Sequence, residues 1–202
     1  MKIKPFFILF LILILGCWFS GCATVGTPPK SPLQRTAQGT AVYNEEFEFA
    51  LLPPGWKLIQ VESGGEFGFG FLKVDPGAFP SQSMFVYDEE PFGCTTVFES
   101  REKEFFKRFL WNSVMNFQVL ERKKFQLQNG EGLAVTVEGK DPVRKEKAKA
   151  EVIFGKRGER VVAWYITQWR HIDGTYDPSA FNVFEKFVAS FKYLKKSFYE
   201  TL

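Results

Sequence analysis

The stretch Arg160–Arg170 (RVVAWYITQWR) constrains the fold more than any other part of the chain. Side chains alternate along a strand, so Val161, Ala163, Tyr165, Thr167 and Trp169 fall on one side and Val162, Trp164, Ile166 and Gln168 on the other. Both sides are mostly apolar. A strand that is apolar on both faces has to lie inside a sheet covered on each side, which predicts a central strand. The 202 residues are 45% hydrophobic and 17% aromatic, with 24 Phe. That is enough material for one well-buried domain plus extras, and too many large side chains for a disordered chain.

The start of the chain has a different character. Met1–Ser20 (MKIKPFFILFLILILGCWFS) places two lysines before an apolar run from Phe6 to Leu15, the layout of a secretion signal. It is short for a membrane span, which needs about 20 apolar residues. Phe19-Ser20-Gly21-Cys22 has small residues at the two positions before the cysteine and resembles the lipobox of bacterial lipoproteins, with Phe19 where Leu is usual. Ile14-Leu15-Gly16-Cys17 is the competing site, with a bulky Leu15 where a small residue is wanted. The resemblance implies that residues 1–21 are a removed signal peptide and that Cys22 becomes diacylglyceryl-modified and N-acylated. Several acyl chains anchor a protein stably, at about 0.8 kcal/mol per buried methylene. Ala23 follows the cysteine, not Asp, which implies the outer membrane, facing the periplasm. Residues 22–40 then read as a lipidated terminus and linker, because Ala23–Thr40 is rich in Pro, Gly, Thr and Ser and has no apolar period.

The remainder, 41–202, is expected to be the folded domain. Phe47, Phe49 and Leu51 alternate with polar or small neighbours up to Pro53-Pro54-Gly55, and Glu66–Val74 puts Phe67, Phe69 and Phe71 opposite Gly68 and Gly70. Thr96 and Glu99 have capping-box spacing, and apolar residues from Phe98 to Phe117 recur at three and four residue steps. These predict a helix over about Val97–Phe117. Strands return from Val119, with Asn129-Gly130 as a hairpin signal, Asp141–Lys147 as a charged loop and Gly155–Gly158 as a turn before the central strand. Asp177-Pro178 opens a second helix, with the core stripe Phe181, Phe184, Phe187, Val188 and Phe191.

Taken together, Phe47–Trp56 (FEFALLPPGW), the mid-chain helix, the four-strand meander and Tyr176–Phe191 (YDPSAFNVFEKFVASF) resemble the PsbP-like family over Glu46–Leu194. The resemblance implies an α+β fold, an antiparallel sheet flanked by helices on both faces. It also implies function by binding, with no catalytic motif to carry over.

Charge and site chemistry agree with a binding role. Residues 23–100 carry 4 basic and 10 acidic side chains, and residues 101–202 carry 20 and 13. Such polarity steers charged partners unless the halves interleave and cancel it. Basic runs such as Arg101–Arg108 (REKEFFKR) contain glutamates, which argues against a nucleic-acid face. His171 is the only histidine, and neither a Gly-x-Ser-x-Gly nor a His-Glu-x-x-His motif is present. His171, Asp173 and Asp177 have ligand chemistry suited to several metals, while Asp173-Gly174 also reads as a turn and Asp177 as a helix cap. Cys94 has no internal disulfide partner once Cys22 is lipidated, and reads as a free thiol. Asp88–Glu90 is an acidic loop without calcium-loop spacing. The expectation is a non-enzymatic, cofactor-free envelope protein, attached to the membrane through its lipid and binding an envelope partner. The alternative is a small-ligand or metal-binding module around His171.

Overall fold

The structure, a computed structural model, describes residues 33–63, 66–73, 82–87, 98–106, 116–158 and 160–196. Met1–Ser20, Cys17, Cys22, Asp88–Glu90, Cys94 and Thr96 lie outside them. In chain order the elements are β1 (Leu33–Arg35), β2 (Thr40–Tyr43), β3 (Phe47–Ala50), β4 (Lys57–Ser63), β5 (Glu66–Lys73) and β6 (Gln82–Tyr87). Then come α1 (Phe98–Phe105), β7 (Asn116–Leu127), β8 (Gly130–Asp141), β9 (Glu146–Arg157), β10 (Arg160–His171), α2 (Pro178–Ser190) and β11 (Lys192–Tyr193). Every strand pairing is antiparallel. One sheet runs β4-β5-β6-β10-β9-β8-β7, and a smaller one runs β1-β2-β3-β11.

This corrects the expected fold class. Eleven strands stand against two helices of 8 and 13 residues among the described residues, so the fold is mostly β and not an α+β, PsbP-like sheet flanked by helices. Two local causes account for the difference. Phe117, read as the last core position of a long helix, is already in β7, paired with Gly139 of β8. Its spacing to Val119 and Leu127 fits a strand as well as its spacing to Val114 fits a helix, and the twelve-residue ladder to β8 decides. Leu33–Arg35, inside the expected linker, pairs with Ala41–Tyr43, and Thr36 donates to or accepts from Thr40 through both hydroxyls at 2.7 Å.

The central strand sits where the alternation requires, with β6 on one side and β9 on the other. Val162, Trp164 and Ile166 join one buried cluster with Ile153, Ala134, Phe69, Phe71, the small sheet and α2. Val161 and Ala163 join the other, with Val135, Val152, Phe154 and Phe105 and Phe106 of the α1 region. α2 starts as its sequence predicts: Asp177 is the N-cap, its Oδ1 accepts the Ser179 amide at 2.9 Å, and Pro178 occupies the first turn. Ser190 Oγ closes the other end by donating to Phe187 O at 2.7 Å while accepting the Ala50 amide at 2.8 Å. One side chain thereby ties helix to small sheet.

Two glycines permit close packing, and one of them makes room for Trp164. Gly155, read from sequence as part of a turn, lies within β9, and a Cβ there would come within 2.8 Å of Trp164 Cζ3. At Gly132 of β8 a Cβ would run into the carbonyl oxygen of Phe154, a backbone atom that cannot swing away. Gly132→Ala is expected to lower stability by about 1–3 kcal/mol through overpacking. A shift of the urea midpoint at constant slope checks this, and an unshifted midpoint would contradict the close approach.

Candidate binding cleft

At the end of the large sheet where β9 turns into β10, three separate pieces of chain enclose a cleft of about 470 Å³. Asn129 comes from the β7–β8 turn, Lys156, Arg157 and Gly158 from the end of β9, and Tyr193, Leu194, Lys195 and Lys196 from the end of the small sheet. Both turns are tight. Leu127 pairs with Gly130 and Arg157 with Arg160, so each turn spans two residues, and Gly158 at φ +60 takes the left-handed conformation that glycine adopts without strain. The tail is held in place because β11 pairs with β3 and the Leu194 amide donates to Glu46 O at 2.7 Å.

Arg157 forms the fixed wall of the cleft. Its side chain is 2% exposed, and the guanidinium lies 4.3 Å from the Tyr193 ring centre and 5.5 Å from that of Phe47. Nη2 donates to Glu46 Oε1 at 2.9 Å and to Lys195 O at 3.2 Å. An arginine stacked and hydrogen-bonded in this way is charged at every accessible pH and is held in one orientation. Lys195 Nζ lies 3.4 Å from Glu45 Oε2, and Lys156 Nζ lies 6.0 Å from the Phe98 ring centre. The lining thus offers positive charge and hydrogen-bond donors. Among the described residues it contains no carboxylate, imidazole, thiol or aliphatic hydroxyl placed for nucleophilic or acid–base chemistry.

The sequence pointed elsewhere, to His171, Asp173 and Asp177. These sit at the far end of β10, roughly 35 Å from Arg160 at about 3.3 Å per residue. His171 Nδ1 and Asp173 Oδ2 are 3.5 Å apart with both side chains largely in solvent, 58% and 87% exposed. Asp177 is turned to other work: Oδ1 caps α2, and Oδ2 lies 3.9 Å from Lys73 Nζ. Its backbone is fixed by Gln168, a fully buried amide that donates to Asp177 O at 2.6 Å and accepts the Asp177 amide at 2.8 Å. Among the described residues no three His, Cys, Asp or Glu side chains are grouped to hold a metal. Cys22 and Cys94 fall outside the described residues.

A second polar cluster lies under α2. Glu151 of β9 is 4% exposed, and its Oε1, without a hydrogen-bond partner, is 4.0 Å from Lys123 Nζ of β7. The same ammonium lies 2.7 Å from Glu185 Oε1 of α2. Burial first, and then the Glu185 carboxylate, push Glu151 from its ordinary 4.5 up to about 7, against the pull of Lys123 and Lys149. The folded chain therefore keeps this proton at pH values where the unfolded chain has lost it. The stabilisation is complete below about pH 4.5 and declines as pH rises to about 7. Glu151→Gln removes that decline, so its stability relative to the parent is expected to rise by about 3 kcal/mol between pH 4.5 and pH 8. Paired thermal melts across that range check it; parallel pH profiles would contradict it.

The cleft residues carried a faint signal in sequence, the basic pairs Lys156-Arg157 and Lys195-Lys196, which separately look like solvated turn and tail residues. Only the pairing of β11 with β3 brings them together. The chain matches no protein-family model and no curated protein.

Proposed function

We propose that the chain is a lipid-anchored envelope protein, held on the outer membrane by acylated Cys22 and facing the periplasm, whose domain binds an envelope component at the basic cleft. The observation that carries the binding role is the cleft itself, with Arg157 locked under Tyr193 and a lining of cations and donors. A preformed concave site with a few convergent polar groups is the usual form of a ligand site. The tether is supported by Phe19-Ser20-Gly21-Cys22 behind the apolar run Phe6–Leu15. The metal-binding alternative at His171 loses support because Asp177 is committed to capping α2.

The anchor has a direct test in cells fed a fatty-acid analogue and then fractionated. Label is expected on the parent and on Cys17→Ala, and none on Cys22→Ala, which accumulates as an uncleaved or mis-sorted precursor. The fold is expected to be the same in all three. Label kept by Cys22→Ala but lost from Cys17→Ala would move the anchor to Cys17, and an unlabelled parent would refute lipidation altogether.

A further inference from the structure

We infer that Glu151, Lys123 and Glu185 form a proton-operated latch, which holds α2, and with it the cleft residues 193–196, more firmly when Glu151 is protonated than when it is ionised. This gives the cleft a means of regulation and rests on the reading of the cleft as the binding site.

The latch is one ammonium shared by two carboxyl groups on different elements. Lys123 Nζ of β7 lies 2.7 Å from Glu185 Oε1 of α2 and 4.0 Å from Glu151 Oε1 of β9. The shorter contact is a hydrogen bond and the longer is not. While Glu151 is protonated, Lys123 and Glu185 balance each other and the buried carboxyl can donate to Glu185. Once Glu151 ionises, two negative charges share one positive, and one of them sits on a residue that is 4% exposed.

The other groups around Glu151 do not restore the balance. Its register partners are Thr136 of β8 and Ile166 of β10, both uncharged. Beyond them, Glu138 of β8 adds negative charge, and Gln168 of β10 is engaged with the Asp177 backbone. Lys149 of β9 favours the ionised form, but its ammonium lies over the Phe181 ring, 5.3 Å from the centre. Glu121 of β7 is a further carboxylate acting on Lys123, and Lys186 of α2 is exposed. Burial and Glu185 outweigh both lysines and place the titration of Glu151 at about 7, so the latch works near neutral pH.

α2 is the member free to yield. Glu151 and Lys123 stand on strands laddered to β8, whereas Glu185 stands on a helix held by side-chain packing. The end of that helix is continuous with the cleft wall. Ser190 Oγ accepts the Ala50 amide at 2.8 Å, the Phe191 amide donates to Val188 O at 3.1 Å, and the Leu194 amide donates to Glu46 O at 2.7 Å. Tyr193, Leu194, Lys195 and Lys196 then line the cleft.

Hydrogen exchange of the full acylated chain in phosphatidylcholine nanodiscs, compared at about pH 5.5 and about pH 8 and corrected for intrinsic exchange, tests the latch. Opening returns Glu151 to water and to its ordinary pKa, so ionisation favours the open form. Protection of the Ala50, Phe191 and Leu194 amides is expected to fall about tenfold or more between the two pH values. The Val143 amide, bonded to Asp141 Oδ1 at 2.9 Å at the other end of β9, is expected to keep its protection. Glu151→Gln is expected to abolish the fall, and Glu185→Gln to shrink it because Lys123 is then left to Glu151 alone. Equal protection at both pH values, or the parent's full response in either variant, overturns the latch. So does protection at Leu194 as high as at Trp164 in the doubly paired β10, because the whole fold would then open at once. Cross-linking from Leu194 at one pH reads the cleft independently: an adduct with pH-independent protection removes the latch and keeps the cleft, and pH-dependent protection without an adduct does the reverse.

Discussion

Phe191→Ala is expected to cost about 3–5 kcal/mol of folding stability, the range for removing a large buried aromatic. Phe191 is buried just past the last turn of α2, in extended backbone, and its amide donates to Val188 O at 3.1 Å. From there its ring reaches every layer on that side of the large sheet. The ring centres of Phe47 and Phe49 in β3 lie 5.4 and 5.8 Å away, Trp164 in β10 lies 5.5 Å, Phe187 in α2 5.7 Å and Tyr193 in β11 5.4 Å. A cavity at this point cannot collapse by moving one neighbour, because the neighbours belong to different elements. Phe181→Ala, at a half-buried position beneath Lys149 Nζ, is expected to cost less than half as much. Urea unfolding of both variants checks the contrast. Equal losses would mean that Phe191 is not the joint between the small sheet, α2 and the large sheet.

Glu46→Ala is expected to destabilise by about 2–3 kcal/mol, more than a surface ion pair is worth, because of what it leaves behind. Glu46 is one-third exposed, but the guanidinium it pairs with is 2% exposed and held between aromatic rings. Removing the carboxylate leaves a buried positive charge with weaker compensation. Removing both partners in Glu46→Ala/Arg157→Met takes away the charge with its partner and keeps apolar volume beneath Tyr193. The double variant is expected to recover at least half of the loss, measured as a coupling energy in a double-mutant cycle. Additive losses would mean that the two residues act independently and that Arg157 is not held by Glu46.

How much of this was legible in the sequence varied with the range of the interaction. β10 was readable because burial on both faces is written into its own alternation, and α2 because Asp177-Pro178 is a local start signal. The β7–β8 hairpin was nearly so: Asn129-Gly130 marked it, although the turn itself is Gln128-Asn129 and Gly130, at φ +132, opens β8. Leu33–Arg35 was not, since a three-residue strand between prolines and glycines has no period and exists through its pairing with β2. Glu151 was not either. The apolar set Ala148, Ala150, Val152 and Phe154 assigned it to the opposite face, and only α2 lying over that face buries it. The cleft was least legible of all, because residues 129, 156–158 and 193–196 meet only once both sheets are closed. The uneven charge along the chain dissolves for the same reason. Glu45, Glu46 and Glu48 from the acidic half pair with Lys195, Arg157 and Lys192 from the basic half.

Binding at the cleft is tested most directly in the native envelope, with a photo-cross-linking residue placed at Leu194 and, separately, at Val143. Leu194 lines the cleft and is 47% exposed; Val143 is 90% exposed in the β8–β9 turn, at the opposite end of the twelve-residue strands. A discrete adduct is expected from Leu194, lost when Lys195→Glu/Lys196→Glu is added, with none from Val143. An adduct from Val143 and silence at Leu194 would contradict binding at the cleft and place the working surface at the other end of the sheet.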